Sequence, residues 1–232
     1  MKNKIKAVLF DLDDTLWPIN PVIAKAEIVL HGWLGAHAPK VARQFTIAEL
    51  RARRMRLMEA DPRYKVELRA VRQASLTEAF IATGEDVAKV GAAMAVFDKE
   101  RNAVTLYDDV VPGLLRLGTR FATGSISNGF SNLEEIGIAH HFDVSIAAHR
   151  FGFAKPDREI FHAACDMLKV KPSEAVYVGD DPAADVEGAQ KAGLRGLLMN
   201  RPDLQPIKRL PSHIKPDVIL TDLHELVRWL GI

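Results

Sequence analysis

Two aspartates at the end of an apolar segment are the first residues of this chain whose types and spacing suggest chemistry. The apolar run that ends at Phe10 has strand character, and it stops at Asp11 and Asp13. Residues two apart in a strand, or in its direct continuation, face the same side. Two neighbouring carboxylates repel each other, so folding gains nothing from them unless a cation or a proton lies between them. A catalytic site can use both, because one carboxylate can attack while the other transfers a proton.

Three later segments also place polar side chains after apolar runs. Ser127 opens a Ser-Asn-Gly turn, Lys155 precedes Pro156, and Asp180 begins an acidic segment that reaches Asp185. Pro156 disfavours helix at Lys155 and leaves the lysine in a loop. Taken singly, these segments are also typical of a turn, a solvated lysine and an acidic loop before a helix. Taken together and in this order along the chain, the segments favour a functional site.

The elements that must position these residues alternate between strand and helix. Strands are predicted at residues 5–10, 121–127, 144–147, 175–178, 196–199 and 218–220, and helices near residues 114–117, 131–136, 157–168, 185–192 and 223–230. Such alternation indicates a parallel sheet covered by helices on both faces. Ligands of these sheets bind at the carboxyl ends of the strands. Because Asp11, Ser127 and Asp180 each end or follow a strand, we expect one crevice to gather them.

Residues 18–108 have a different pattern, with almost no strand signal. Ala, Leu, Arg, Glu and Gln are frequent, and apolar residues recur at roughly helical spacing. Three or four helices are predicted, with breaks near residues 32–39, 61–62 and 83–84. The fold class is therefore α/β: a Rossmann-like parallel sheet core, formed by residues 1–17 and 109–232, with an inserted α-helical domain at residues 18–108.

The four segments resemble, in order, the four motifs of the haloacid dehalogenase (HAD) superfamily, and the inserted helices resemble its helical cap. Most members of this family are magnesium-dependent phosphatases. The resemblance implies that Asp11 is the nucleophile that forms an aspartyl-phosphate. It implies that Asp13 protonates the leaving oxygen and then activates water. Lys155 would neutralise the charge shared by Asp11 and the phosphate.

The same resemblance assigns the binding residues. The phosphoryl group would be held by the turn at Leu12, by Ser127, by the backbone of Asn128 and by Lys155. The Mg²⁺ ligands would be Asp11, the backbone carbonyl of Asp13, Asp180 and, through water, Asp185. Asp185 could instead cap its helix. Asp181 is as well suited to capping or indirect support as to coordination.

The function that follows is magnesium-dependent hydrolysis of a small phosphomonoester. Dehalogenases of the superfamily use one nucleophilic aspartate without the second acid or the metal cluster, so Asp13, Asp180 and Asp185 argue against that chemistry. A phosphomutase with the same catalytic set is one alternative. A regulatory or binding protein with weak turnover is another, although loss of the catalytic acids would be expected there. The substrate depends on how cap side chains project, which the sequence does not determine.

Composition sets broader limits. The formal net charge of +1 gives no general attraction to nucleic acid. The basic run 51–56 is interpreted as a solvated helix face. One cysteine cannot form an internal disulfide, which fits a reducing cytoplasm. No secretory signal or segment of about 20 apolar residues is seen, so no membrane contact is expected. The expected partner is a small phosphorylated metabolite, and the protein is expected to be a monomer or a homodimer.

Overall fold

A six-stranded parallel sheet forms the centre of the larger of two compact units. The computed structural model describes residues 5–202 and 209–232. The strand order is β3-β2-β1-β4-β5-β6. The strands are β1 (Ala7–Phe10), β2 (Ala122–Ser127), β3 (Val144–Ala147), β4 (Ala175–Gly179), β5 (Arg195–Met199) and β6 (Val218–Leu220). The α/β fold and the parallel sheet predicted from the sequence are confirmed.

Burial along the strands follows their position in the sheet. Every residue of β1 and β4 is buried, as expected for central strands covered on both faces. In contrast, β3 at one edge alternates between buried and more exposed residues. β1 pairs with β2 on one side and β4 on the other. The chain therefore changes direction across the sheet next to β1, which is where ligands of such sheets bind.

Helices cover this sheet within the larger unit. They are α6 (Val110–Gly118), α8 (Ala148–Phe151), α9 (Arg158–Met167), α10 (Gly188–Lys191) and α11 (Leu223–Leu230). A π-helical turn at Pro182–Glu187 precedes α10. The predicted helix at 185–192 therefore begins three residues too late, and its first part is π-helical. Gly196 of β5 allows this turn to pack closely, since a Cβ there would lie 2.5 Å from the carbonyl oxygen of Val186.

The second unit is helical. It contains α1 (Ile19–His37), α2 (Pro39–Gln44), α3 (Ile47–Ala60), α4 (Leu68–Thr83), α5 (Val90–Asn102) and the short α7 (Leu133–Ile136). The predicted break at residues 32–39 is wrong in its extent, because α1 continues through Gly32 and Gly35 and ends only before Pro39. Five α-helices lie between Ile19 and Val104, one more than the upper prediction.

The boundary of the helical unit differs from the predicted one at three places. The unit comprises Ile19–Val104 and also Phe130–Ile136, which the sequence interpretation assigned to the core. Phe130 packs against Phe97, with ring centroids 6.4 Å apart. The side chain of Asn102 accepts a hydrogen bond from the backbone N–H of Asn132. These contacts hold the later segment against α5.

A buried carboxylate joins three helices of this unit. Glu27 of α1 is 3% exposed and forms ion pairs with Arg51 and Arg54 of α3 and with Arg72 of α4. Arg72 also stacks over the Phe97 ring, 3.5 Å from its centroid. The basic run is therefore not simply a solvated face, because Arg51 and Arg54 pair with Glu27 of α1 and Arg53 pairs with Glu78 of α4. Among the described residues, no helix has the length and apolar character needed to cross a bilayer.

Candidate active site

Three buried carboxylates meet at the carboxyl edge of the sheet. Asp11 directly follows β1, Asp180 directly follows β4, and Asp185 lies in the π-helical turn. One carboxylate oxygen from each lies within 4.8 Å of the others, and each residue is at most 7% exposed. The two strand ends are adjacent because β1 and β4 pair directly, with Phe10 opposite Val178. The sheet thus brings together residues that are far apart in the sequence.

Gly179 permits the close approach of Asp185. A Cβ at this position would lie 2.3 Å from the Asp185 Oδ2 atom, so any side chain would displace the carboxylate. The same oxygen accepts a hydrogen bond of 2.9 Å from the backbone N–H of Asp181. A glycine at the end of β4 is therefore a steric requirement of the site.

Asp181, rather than Asp185, caps the following turn. Its Oδ1 atom accepts hydrogen bonds of 2.9 Å from the backbone N–H groups of Ala183 and Ala184. The capping alternative considered for Asp185 is thus wrong, because Asp185 lies inside the turn that Asp181 begins. The carboxylate of Asp185 is left to face Lys155 and the other acids.

Lys155 lies among the carboxylates with all three of its ammonium N–H groups engaged. Its Nζ atom donates to Asp11 Oδ1 at 2.5 Å, to Asp185 Oδ1 at 2.7 Å and to the Tyr177 hydroxyl at 2.8 Å. The residue is 5% exposed. A charged lysine is rarely buried without such partners. The Nζ atom thus lies next to Asp11, where the family resemblance implies that it neutralises charge.

The charges in this cluster shift one another's pKa values. Burial raises the pKa of Asp11 to about 6; Lys155 opposes this shift, while Asp180 adds to it. Burial likewise raises the pKa of Asp185 to about 6, against the opposing effect of Lys155. Burial alone would lower the pKa of Lys155, but Asp11 and Asp185 outweigh it and raise that pKa well above its usual value. The lysine therefore stays protonated, and additional positive charge would favour the ionised acids.

The chain turns sharply after Asp11. Leu12 is buried, and its carbonyl accepts a hydrogen bond of 2.8 Å from the backbone N–H of Leu16. Asp14 has a φ of 61°, a left-handed conformation that aspartate tolerates better than most residues. Asp13 is half-buried, and its Oδ1 accepts a hydrogen bond of 3.0 Å from Trp17 Nε1. The carboxylate of Asp13 is not among the three that meet, which leaves its backbone carbonyl as the group proposed for the metal.

Ser127 and Asn128 end the neighbouring strand. Ser127 is 4% exposed, and its hydroxyl oxygen accepts a 2.9 Å hydrogen bond from the backbone N–H of Gly129. The side chain of Asn128 forms two hydrogen bonds with the backbone of Lys155. The sequence interpretation considered only the backbone N–H of Asn128. The structure adds a role for its amide group, which connects the second polar segment to the third.

Two buried polar residues that support the site were missed by the sequence interpretation. Tyr177 on β4 contacts Lys155, and the only signal for it was a hydroxyl within an otherwise apolar strand. Arg201, 4% exposed, donates from Nε to the Thr15 carbonyl at 3.0 Å and from Nη1 to both oxygens of Asp109 at 2.8 Å. Arg201 thus supports the turn after Asp11 from the side of β5.

The three clustered acids could hold a metal ion. All their donors are carboxylate oxygens, the ligand type that the hard cations Mg²⁺ and Ca²⁺ prefer. Softer ions favour sulfur or imidazole ligands, and the cluster contains neither. The donor set of Asp11, Asp180 and Asp185 therefore fits a hard divalent cation.

A family comparison agrees with this arrangement. The model of the haloacid dehalogenase-like hydrolases matches residues 5–193. The chain belongs to this family. The match includes all four polar segments, so the resemblance inferred from the motifs is confirmed. As a HAD-like hydrolase, the protein has its proposed nucleophile in the buried acid cluster after β1.

Individual relatives extend the comparison. The chain is 27% identical to the 5-amino-6-(5-phospho-D-ribitylamino)uracil phosphatase YigB of Escherichia coli, over 96% of this chain and 95% of the relative. It is 29% identical to the glyceraldehyde 3-phosphate phosphatase of Methanopyrus kandleri, over 96% of each. A solved 2-haloacid dehalogenase from Pseudomonas syringae is 35% identical and has a TM-score of 0.87, covering 97% of this chain and 99% of that one. The chain is thus similar to two phosphatases and also to a dehalogenase.

Proposed function

We propose that this HAD-like hydrolase is a magnesium-dependent phosphatase that hydrolyses a small phosphomonoester through an aspartyl-phosphate on Asp11. The meeting of Asp11, Asp180, Asp185 and Lys155 supports the proposal most directly. Phosphate monoesters are among the most slowly hydrolysed compounds in water, so their catalysis needs strong charge compensation as well as a nucleophile. Three acids able to hold a metal ion, together with a fixed ammonium, would provide it.

Each residue then has a distinct role. An oxygen of Asp11 attacks phosphorus, a P–O bond forms to it, and the bond to the leaving oxygen breaks. Asp13 gives a proton to that oxygen and later takes one from the water that hydrolyses the aspartyl-phosphate. Lys155 keeps Asp11 ionised next to the anionic substrate. Backbone groups after Asp11, with Ser127 and Asn128, would bind the phosphoryl oxygens.

A bound Mg²⁺ would add positive charge where negative charge develops during the transfer. Asp11, the Asp13 carbonyl and Asp180 would hold it, with Asp185 acting through water. A cation there would also oppose the raised pKa of Asp11 and keep this carboxylate ionised at neutral pH. The cytoplasmic location remains a prediction from the sequence.

A dehalogenase is the second candidate, favoured by the 35% identical solved structure. Displacement of halide from carbon would also use Asp11 as the nucleophile, and Lys155 could orient it. Water must then hydrolyse the ester formed on Asp11, and a nearby carboxylate could take its proton. Halide itself leaves without a proton and without a phosphoryl charge to neutralise, so an acid cluster that holds a metal ion has no evident task in this reaction. We therefore place phosphatase activity first.

The deciding experiment measures phosphate and chloride release in parallel. The purified protein is incubated with a panel of phosphomonoesters, including the compounds named for the two phosphatase relatives, and separately with 2-chloropropionate. Mg²⁺ is supplied or removed with EDTA. We expect phosphate release that requires Mg²⁺ and is abolished by Asp11→Asn. Chloride release without phosphate release would instead support the dehalogenase.

A matched variant controls for the substitution itself. Asp143 lies at the opposite end of the sheet, is exposed, and accepts a hydrogen bond from the backbone N–H of Thr123. Asp143→Asn makes the same chemical change away from the acid cluster and should retain activity. Sugar phosphates in the panel also test for a phosphomutase, which would produce isomers in place of free phosphate. A folded protein that converts none of these compounds would contradict the proposal.

A further inference from the structure

The hydroxyl of Tyr177 occupies a position in the site that the proposed reaction does not yet explain. Tyr177 lies on β4, is fully buried, and packs edge-on against Phe161 with ring centroids 5.0 Å apart. Its hydroxyl accepts a hydrogen bond from Lys155 Nζ at 2.8 Å and donates one to the Ile126 carbonyl at 2.8 Å. One phenol group therefore contacts both the lysine and the strand that ends at Ser127.

The hydrogen bond to Tyr177 uses the last free N–H group of the Lys155 ammonium. A lysine ammonium has three N–H groups on a flexible stem. Asp11 and Asp185 accept two of them, and Tyr177 accepts the third. With only the two carboxylates as partners, the ammonium could rotate toward either acid or toward a substrate oxygen. The third hydrogen bond fixes its orientation.

The partners set the direction of both hydrogen bonds, because an ammonium can only donate and a carbonyl can only accept. Burial also raises the pKa of Tyr177 well above its usual value, so the phenol keeps its proton. That proton is given to the Ile126 carbonyl, and the oxygen lone pairs remain for Lys155. Since Ile126 directly precedes Ser127, the same hydroxyl connects the end of β2 to the lysine. A phenylalanine would fill the same space without either contact.

We propose that Tyr177 is a positioning residue, which holds the Lys155 ammonium between Asp11 and Asp185 and connects it to the end of β2 at Ser127. The inference rests on the proposed phosphatase function. Removal of the hydroxyl should leave substrate binding largely intact but let the ammonium leave the place where charge develops on phosphate transfer. The effect should therefore fall on kcat more than on KM.

The test compares Tyr177→Phe with Thr123→Val. The hydroxyl of Thr123, at the amino end of β2, donates to the His141 carbonyl at 2.7 Å and is also buried. Both substitutions remove a buried hydroxyl that binds a backbone carbonyl, but only Tyr177 contacts Lys155. Tyr177→Phe should lower kcat by about 10- to 100-fold, with KM changed by less than about threefold. Thr123→Val should leave kcat unchanged, and thermal unfolding of both variants identifies any loss that is due to folding alone.

The outcomes separate this inference from the proposed function. A wild-type protein with no magnesium-dependent phosphate release defeats both. A wild-type phosphatase whose Tyr177→Phe variant keeps kcat within about twofold, or loses no more than Thr123→Val, overturns only the role of Tyr177. If Tyr177→Phe fails to fold, a crystal structure of the wild-type protein with Mg²⁺ and orthovanadate decides. A Lys155–Tyr177 contact of about 3 Å is expected, and one longer than about 4 Å would refute the role.

Discussion

The amide side chain of Asn128 binds both backbone groups of Lys155. Its Nδ2 donates to the Lys155 carbonyl at 3.0 Å, and its Oδ1 accepts from the Lys155 N–H at 2.9 Å. Lys155 lies in a loop before Pro156, where no strand or helix provides partners for these groups. Asn128 therefore takes the place of regular secondary structure and sets the point from which the lysine side chain extends.

Replacement of Asn128 should reduce catalysis through this loop. Asn128→Ala removes both hydrogen bonds, and we expect kcat/KM for phosphate release to fall by about 10- to 100-fold, as for other supporting residues of active sites. Asn128→Asp should be nearly as harmful, because it would place an acceptor against the Lys155 carbonyl. Asn132→Ala, which removes a side chain at the exposed start of α7, is the control. Equal activity of the Asn128 and Asn132 variants would contradict this role.

A side chain at Gly179 should disrupt the acid cluster. The added Cβ of Gly179→Ala would lie 2.3 Å from Asp185 Oδ2, so the carboxylate must move. We expect a loss of stability of about 1–3 kcal/mol, typical of overpacking, together with weaker Mg²⁺ binding measured by calorimetry. Gly118→Ala is the matched control, since a Cβ there meets nothing within 4 Å. Unchanged Mg²⁺ affinity in Gly179→Ala would show that the position of Asp185 does not matter for the metal.

The stability of the metal-free protein should depend on the charge of Asp11. Its folded pKa of about 6 lies above its ordinary value of 3.8, so the folded state binds this proton more tightly than the unfolded state does. The resulting stabilisation is fully present below about pH 4 and is lost as pH rises through about 6. Asp11→Asn removes this dependence. In EDTA, the free energy of unfolding of Asp11→Asn minus that of the wild type should therefore increase between pH 4 and pH 7, by on the order of 1–3 kcal/mol.

Urea unfolding of both proteins between pH 4 and pH 7 measures this difference. Mg²⁺ should reverse the trend for the wild type, because a cation that binds the ionised acids stabilises the folded state more as they deprotonate. The Asp11→Asn variant should gain less from the ion. A stability difference between the two proteins that stays constant with pH would contradict the raised pKa of Asp11.

The ion cluster of the helical unit should contribute strongly to stability. Glu27→Gln leaves three arginines without their shared carboxylate, two of them largely buried. Removing one partner of a buried ion pair typically costs about 3–5 kcal/mol of folding stability. Glu78→Gln breaks a single pair with Arg53, in which Glu78 is 46% exposed, and should cost less than about 1 kcal/mol. Denaturant unfolding compares the two variants, and equal losses would refute the importance of burial at Glu27.

Much of the core was predictable because its signals are local. Every predicted strand is present, and β3 and β6 have the predicted bounds. Apolar runs of strand length, separated by helical segments, are sufficient to indicate a covered parallel sheet. The meeting of Asp11 and Asp180 could also be anticipated, since residues at the carboxyl ends of parallel strands share one edge.

The helical unit was less predictable. Gly32 and Gly35 suggested a break, but each glycine costs a helix only about 1 kcal/mol, which the packing of Leu30 and Leu34 in the core outweighs. The basic run was interpreted as a solvated helix face, whereas its arginines pair with Glu27 and Glu78 on other helices. Helix packing selects such partners, and sequence separation does not indicate them.

The sequence by itself determined the kinds of chemical groups and the strand ends that carry them: Asp11 after β1, Ser127 at the end of β2 and Asp180 after β4. Only the tertiary structure decided how Lys155 is held, because its partners Asp11, Tyr177 and Asp185 and its support Asn128 come from different elements. Strand and helix patterns arise from neighbours along the chain, which a sequence displays directly. Hydrogen bonds between distant side chains depend on register and packing, which are fixed only when the whole core has formed.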